Sequence, residues 1–191
     1  EYISNLLFNN DQGIDENILV CQKILLETKA RIKENITAQS EAVVVSFLKA
    51  AATHPNRLIL SSHDYPNPVT YQEFLVNCSK IGSAIHSKIS EEIPVAIVMH
   101  RGRHLLESVW GAMLAGRAFL PLDPTMPVKR LRRQIELAGC ELLIFDDSFN
   151  ATELMNGGNA FSVQSLLEEG KDWQKFVAVT PKPEASAYLL F

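Results

Sequence analysis

The chain of 191 residues is long enough to bury a hydrophobic core and corresponds to one domain or slightly more. Hydrophobic residues make up 47% of it and charged residues 21%, as in ordinary soluble globular proteins. The net charge of −4 argues against a nucleic-acid-binding protein, which usually carries a basic patch or stripe. The sequence has no signal peptide and no apolar stretch of about 18 residues, which predicts a cytoplasmic protein without a membrane partner.

The three cysteines, Cys21, Cys78 and Cys140, are widely spaced and form no close pair. Two of them fall at apolar positions of predicted helices. We therefore expect buried, reduced thiols rather than a disulfide framework.

The first part of the chain predicts a strand followed by a long helix. The strand covers residues 1–8, and after a polar turn the helix covers residues 14–36. Its mostly apolar stripe recurs at spacings of three and four residues, which is typical of a helix packed on a neighbour. This stripe consists of Ile14, Ile18, Cys21, Leu25, Thr28, Ile32 and Ile36. Residues 35–40 predict a polar linker.

The next segment predicts a capped helix, a strand and a turn. Ser40 is placed to cap a helix that runs through Ala52 and ends before Pro55. Residues 57–62 predict a strand, and residues 64–68, rich in Asp, Asn and Pro, predict a turn.

Thr70 and Glu73 have the spacing of a capping box. In this motif the Thr hydroxyl accepts a hydrogen bond from the third helical amide while the Glu side chain reaches back to the Thr amide. The pair predicts a helix start with a structural role and no chemistry. Apolar residues at helical spacing form the buried face of that helix: Phe74, Cys78, Ile81, Ile85 and Ile89.

The second half of the chain predicts a parallel α/β sheet. The continuous apolar run over residues 95–99 suits a strand that is covered on both faces. A helix over about residues 104–115 ends at Gly116, because glycine best tolerates the left-handed turn after a helix. Phe119 and Leu120 predict a buried strand, which Pro121 and Pro124 close off.

A second crossover follows. Residues after Pro127 predict a helix that ends at Gly139, and residues 142–145 predict a strand. Residues 146–159 predict a polar, Gly-rich surface excursion, and residues 162–169 predict a short helix. The fold class is therefore α/β with parallel βαβ units.

Four common motifs of phosphate, dinucleotide and metal sites are absent: GxxxxGK[ST], the Rossmann GxGxxG, HExxH and paired CxxC. We therefore assign no catalytic, cofactor-binding or metal-ligating residue. The pair Gly157-Gly158 predicts only a flexible loop. The basic residues Lys129, Arg130, Arg132 and Arg133 alternate with apolar Leu131, Ile135 and Leu137, which indicates a solvated helix face.

Two polar pairs near strand ends allow a ligand site. His100 and His104 could bind a metal or an anion, but His100 lies at a strand end, so the two need not share a helix face. Asp146 and Asp147 follow a strand at its carboxyl end, where open α/β sheets place ligands. A capped, solvated turn is the simpler explanation of this acidic pair.

The run Met-Leu-Ala-Gly-Arg-Ala-Phe-Leu-Pro-Leu-Asp-Pro at residues 113–124 resembles a core motif of the adenylation domains of nonribosomal peptide synthetases, Leu-Lys-Ala-Gly-x-Ala-Tyr-Val-Pro-Leu-Asp-Pro. Residues 69–74, 127–144 and 185–191 resemble further motifs of that family in the same order. Residues 185–191 resemble the strand that leads into the family's Gly-rich phosphate loop, so the resemblance predicts a strand there. The resemblance covers about residues 40–191. It implies the first part of the large N-terminal subdomain of an adenylation domain.

The resemblance also implies a domain organisation. Residues 1–37 resemble the closing strand and helix of a condensation domain and its linker, although a helix packed on any neighbour explains them as well. Residues 38–191 would then be a partial adenylation domain that ends before the family's Gly-rich phosphate loop. Leu114 stands where the family usually has Lys, a position we expect to be structural, and Arg117 occupies a variable position.

The implied activity is that of the full-length protein. Such a protein activates an amino acid with ATP and Mg²⁺ and loads the acyl group onto the phosphopantetheine of a carrier-protein domain, beside a neighbouring condensation domain. The phosphate loop, the amino-acid pocket and the catalytic lysine match no residue here, so these 191 residues alone are expected to be inactive. Two alternatives remain open: an acyl-CoA or aryl-CoA ligase of the same superfamily, and a degenerate adenylation-like scaffold module.

Overall fold

The computed structural model describes residues 42–62, 65–89, 93–146, 149, 151, 154–155, 159–179 and 185–191. The strand predicted over residues 1–8, the helix over 14–36 and the linker over 35–40 lie outside the described residues. The proposed boundary between residues 37 and 38 lies outside them as well.

The described chain begins with a helix, a hairpin and a second helix. These are α1 (Val43–Thr53), β1 (Leu58–Ser62), β2 (Tyr65–Thr70) and α2 (Tyr71–Lys88). The N-cap of α1 is Ala42, which makes no side-chain capping hydrogen bond. Ser40, predicted as the cap, lies outside the described residues.

The rest of the chain alternates strands and helices, as predicted. The elements are β3 (Val95–Val98), α3 (Arg103–Leu114), β4 (Phe119–Leu122), α4 (Val128–Ala138), β5 (Leu142–Phe145), β6 (Ala160–Ser162) and α5 (Val163–Glu169), followed by a 3₁₀ helix (Gly170–Lys175). The four strands β3 to β6 form one sheet in the order β4-β3-β5-β6. All of its neighbouring pairs are parallel. The short strand β6 has no counterpart in the sequence prediction.

The sheet is covered on both faces because its two crossovers run in opposite directions. A right-handed crossover places α3 on one face on the way from β3 to β4, and α4 on the other face on the way back to β5. The core follows this division. Val95 and Ile97 of β3 pack with α1, α2 and α3, whereas Ala96 and Val98 pack with Leu131 of α4. All four β3 side chains are buried, which explains the continuous apolar run.

The turn predicted over residues 64–68 is wrong. From Tyr65 onward these residues form β2, which pairs with β1 in antiparallel orientation. Pro66 and Pro68 suggested a turn, but steric conflict with proline drives the preceding residue into an extended conformation, so Tyr65 and Asn67 favour a strand. Among the described residues, each strand of this two-stranded sheet pairs along one edge only, and a proline whose nitrogen faces the other edge costs no ladder hydrogen bond.

Pro121 lies within β4, opposite Ile97, and does not end the strand as predicted. The amide and carbonyl of Phe119 both bond to the segment 187–189 on the outer edge of the sheet. Residues two apart in a strand direct these groups to the same edge, so the nitrogen of Pro121 also faces outward. The pairing of β4 with β3 therefore loses no backbone hydrogen bond at Pro121.

Two further segments differ in part from the sequence prediction. Within the predicted surface excursion, Ala151 and Leu154 are buried against the α4 face of the sheet, so the prediction is wrong for these two. The predicted strand over residues 185–191 is reduced to one parallel bridge between Tyr188 and Phe119.

The capping box at the start of α2 is confirmed. The Thr70 hydroxyl accepts from the Glu73 amide at 3.2 Å, and the Thr70 amide donates to Glu73 Oε2 at 2.9 Å. These bonds from Thr70 hold the pKa of Glu73 below its usual value.

Replacing Thr70 with alanine is expected to lower the free energy of unfolding by about 1 kcal/mol, because the first turn of α2 loses its side-chain acceptor. Urea denaturation measures the change. Thr53→Ala is the matched control, since the Thr53 hydroxyl bonds only within α1, to the Lys49 carbonyl. Equal losses from the two substitutions would show that the box does not stabilise the helix start.

Candidate functional site at the carboxyl edge of the sheet

The sheet has a topological switch point at β3. The chain runs from β3 to β4 on one side and then crosses to β5 on the other. In open α/β sheets, ligands bind in the crevice outside the carboxyl ends of the strands at such a point. Polar residues follow all three strands there: His100 after β3, Asp123 after β4 and Asp146 after β5.

A pocket of about 280 Å³ opens at this edge. Residues 100–104, which connect β3 to α3, form one wall, and Asp146 and Asn67 complete the lining. The His100 amide donates to Asp146 Oδ2 at 3.1 Å, and His100 Nδ1 lies 3.7 Å from the same oxygen. This contact joins the carboxyl ends of β3 and β5, so the pocket wall is attached directly to the sheet.

Asp123 is engaged in a local turn. Its Oδ1 accepts from the Thr125 amide at 2.9 Å and from the Thr125 hydroxyl at 2.7 Å. These hydrogen bonds lower the pKa of Asp123. The carboxylate therefore stays ionised and holds the chain as it leaves β4.

A buried carboxylate lies behind the pocket. Glu107 of α3 is fully buried, and its Oε1 accepts from Asn77 Nδ2 at 2.8 Å and from Arg103 Nε at 2.7 Å. Its Oε2 lies 3.0 Å from His104 Nδ1. Burial alone would raise the pKa of Glu107, but the bonds from His104, Arg103 and Asn77 outweigh it and lower that pKa.

The same contact changes the titration of His104. The hydrogen bond to Glu107 raises the pKa of His104 against the opposing effect of burial. His104 therefore keeps its positive charge to a higher pH than an ordinary histidine does. Two cationic side chains, Arg103 and His104, are thus fixed to one buried anion at the wall of the pocket.

Sequence reasoning missed Glu107. The available signal was its spacing, three residues after His104 and four after Arg103, which places all three side chains on one helix face. Its third partner, Asn77, belongs to α2 and is 30 positions away in the sequence. Helical spacing cannot show such a partner.

The sequence-predicted polar pairs have mixed outcomes. His100 lies at a strand end, as predicted, and His104 lies on α3, yet both line the same pocket. Asp146 joins them there, whereas Asp147 and the pair Gly157-Gly158 lie outside the described residues. Within the described part of the chain, no three His, Cys, Asp or Glu side chains are grouped so that they could hold a metal ion.

The other side chains singled out from the sequence have structural roles. Cys78 and Cys140 are buried free thiols; burial raises the pKa of Cys78, and it raises the pKa of Cys140 to about 12. Leu114 is fully buried. Arg117, at the variable motif position, is also buried, and its Nη2 donates to the Ile89 carbonyl at 3.2 Å.

The basic face of α4 is solvated, as predicted. Lys129, Arg130 and Arg133 are exposed and Arg132 is half-buried, while Leu131 and Ile135 pack into the core. Leu137, at the end of the helix, is 56% exposed.

A model of the family described as AMP-binding enzyme matches residues 47–191, which contain the whole sheet and the pocket. The chain belongs to the AMP-binding enzyme family. It is 31% identical to surfactin synthase subunit 2 of Bacillus subtilis over 148 residues, and 28% identical to nonribosomal peptide synthetase 5 of Gibberella zeae over 145 residues. These alignments cover 76% and 75% of the chain but only 4% and 1% of the relatives.

A solved structure shows the same fold. This member of the AMP-binding enzyme family superimposes on a crystal structure of the nonribosomal peptide synthetase FmoA3 with a TM-score of 0.70 at 21% identity, over 88% of this chain and 18% of that one. The resemblance to the N-terminal part of an adenylation domain and the α/β fold class are thus confirmed. No helix among the described residues is long and apolar enough to cross a membrane.

Proposed function

We propose that the full-length protein is a ligase that activates an amino acid as its aminoacyl-adenylate and loads it onto a carrier-protein domain. The observation that carries this proposal is the family match over residues 47–191, combined with 31% identity to surfactin synthase subunit 2 over 148 residues. The ordered motifs at residues 69–74, 113–124, 127–144 and 185–191 support it.

The geometry of the last described segment is consistent with this function. Residues 187–189 pair with Phe119 in parallel orientation, so this segment runs toward the same carboxyl edge as the pocket. In the resembled family the Gly-rich phosphate loop follows this segment. A loop there would present its backbone amides beside the switch point of the sheet.

The proposed reaction has two steps. A carboxylate oxygen of the amino acid attacks the α-phosphorus of ATP, and pyrophosphate leaves. The acyl carbon is then attacked by the phosphopantetheine thiolate of the carrier domain, and AMP leaves. Positioning and charge neutralisation account for most of the catalysis in such transfers. In this proposal Mg²⁺ enters as the ATP complex, because proteins usually hold Mg²⁺ through the substrate phosphates and one or two carboxylates.

The domain assignment belongs to the same proposal. Residues 1–37 would be a condensation-domain-like tail and linker, and residues 38–191 the first part of the adenylation domain. The same proposal includes a neighbouring condensation domain and a cytoplasmic location.

The test is amino-acid-dependent exchange of radiolabelled pyrophosphate into ATP by the full-length protein, because adenylate formation is reversible on the enzyme. We expect exchange with one cognate amino acid from a panel of proteinogenic amino acids and aryl acids. The acyl group should then appear on a phosphopantetheinylated carrier domain and not on free coenzyme A. The 191 residues alone serve as a control that should give no exchange.

Other outcomes separate the alternatives. Exchange only with fatty or aryl acids, with a coenzyme A thioester as product, would identify a CoA ligase. A folded full-length protein with an intact phosphate loop that exchanges with no acid of an extended panel would support the scaffold alternative.

A further inference from the structure

Glu107 is the feature that the proposed chemistry leaves unexplained. A buried carboxylate between two packed helices costs free energy that an apolar side chain of similar volume would avoid. Its cost is offset here by three donors, Asn77 from α2 and Arg103 and His104 from α3, each within 3.0 Å. Packing of α2 on α3 does not require this arrangement.

The three contacts fix two side chains of the pocket wall. Glu107 engages Arg103 through Nε, and a guanidinium carries further N–H donors on its Nη atoms. It engages His104 through Nδ1, which leaves Nε2 on the side away from Glu107. Both residues line the pocket, and each would have several rotamers without the carboxylate.

The pocket has more basic than acidic groups. Arg101, Arg103, His100 and His104 line it, against Asp146. Glu107 is behind the wall, and Asp123 beside the pocket is held by Thr125. Glu73 faces Arg103 from the first turn of α2. Fixed cationic donors of this kind suit oxygens of a phosphoanhydride.

We propose that Glu107 is a positioning residue that holds Arg103 and His104 at the carboxyl-edge pocket, where they bind the phosphoanhydride oxygens of a ligand. The proposal rests on the proposed function, which supplies two such ligands, ATP and pyrophosphate. His104 must be protonated for this role, so binding weakens as the pH rises through its pKa.

The proposal is tested by whether one substitution, Glu107→Gln, strengthens or weakens anion binding. Removal of a negative charge near an anion pocket should strengthen anion binding if Glu107 acts only through its charge. Removal of a positioning residue should weaken binding, because the amide of Glu107→Gln offers one acceptor oxygen to three donors and opposes them with its own N–H groups. The probe is inorganic pyrophosphate, titrated calorimetrically into the full-length protein at pH 6.0 and pH 8.5.

We expect Glu107→Gln to weaken pyrophosphate binding about tenfold at pH 6.0, the effect of about one lost charge-assisted hydrogen bond. The matched control is Glu136→Gln on the exposed face of α4, which removes the same charge next to Arg133 and should leave the affinity unchanged. Ring ¹³C NMR, with His104→Asn for assignment, should show a lower His104 pKa in Glu107→Gln. Displacement by ATP then shows whether the pocket takes the nucleotide as well as the product.

Unchanged or tighter pyrophosphate binding by a folded Glu107→Gln protein overturns the proposal, whatever happens to the His104 pKa. If that variant does not fold, the half-exposed His104→Asn decides: it should weaken binding and remove the difference between the two pH values. A pyrophosphate affinity of His104→Asn equal to that of the wild-type protein overturns the proposal. If the full-length protein catalyses amino-acid-dependent exchange but its pyrophosphate affinity does not depend on Glu107, the positioning role alone is refuted. If pyrophosphate affinity depends on Glu107 but no amino acid supports exchange, the proposed function alone is refuted.

Discussion

Replacing Gly116 with valine is expected to give one of the largest losses of stability available at a single position. Gly116 has φ +71°, a left-handed conformation that strains a β-branched residue by about 1–3 kcal/mol. An added Cβ would also lie 2.6 Å from Val179 Cγ1. The irregular segment that carries Val179 cannot easily retreat, because the Val179 amide donates to the Leu114 carbonyl at 2.8 Å. Overpacking adds a further loss of about 1–3 kcal/mol.

The chain offers a matched control for this prediction. Gly139 ends α4 with φ +67°, and its helix end has the same hydrogen bonds as that of Gly116. At both ends the glycine amide donates to the carbonyl three residues earlier, and the next amide donates to the carbonyl five residues earlier. However, an added Cβ at Gly139 has no neighbour within 4 Å. Gly139→Val therefore reports strain alone, and thermal melting should give a clearly larger loss for Gly116→Val. Equal losses would contradict the predicted collision with Val179.

Replacing Phe47 with alanine is expected to cost about 3–5 kcal/mol, the usual loss when a buried aromatic side chain is truncated. Phe47 is 6% exposed and joins α1 to the body of the domain. Its ring centroid lies 4.3 Å from that of Trp110 on α3, and the Phe74 ring on α2 meets it edge-on at 5.9 Å. The truncation leaves a cavity where three helices meet.

Urea denaturation of the full-length protein, followed by tryptophan fluorescence, measures this loss because Trp110 contacts the substituted site. Val43→Ala is the control on the same helix, since Val43 is 59% exposed and should change stability by less than about 0.5 kcal/mol. A loss below about 1 kcal/mol for Phe47→Ala would mean that α1 does not pack as a part of this domain.

Much of the sheet could be predicted because its signals are local. The apolar run of β3 reflects burial on two faces, and the glycines after α3 and α4 reflect left-handed helix ends. The capping box of α2 depends on two residues three apart. In each case the sequence pattern consists of the same neighbouring residues that form the structural feature.

The errors came from partners that are distant in the sequence. Pro68 and Pro121 indicate a turn and a strand end in isolation, whereas each lies in the outermost strand of its sheet, where proline is tolerated. Glu107 has the charge of a surface residue, and its burial depends on Asn77 of another helix. The pocket likewise joins Asn67, residues 100–104 and Asp146, which come together only after the sheet has formed.

The position of Pro121 has a consequence for self-association. An outer strand with free amides and carbonyls is a template on which a second chain can add a strand, and this is a common route to aggregation. Phe119 already shares its two groups with Ala187 and Leu189, and the next outward-facing position is Pro121, which has no amide proton to donate. The outer edge of β4 therefore offers no continuous row of hydrogen-bonding groups, and the proline disfavours edge-to-edge pairing at this strand.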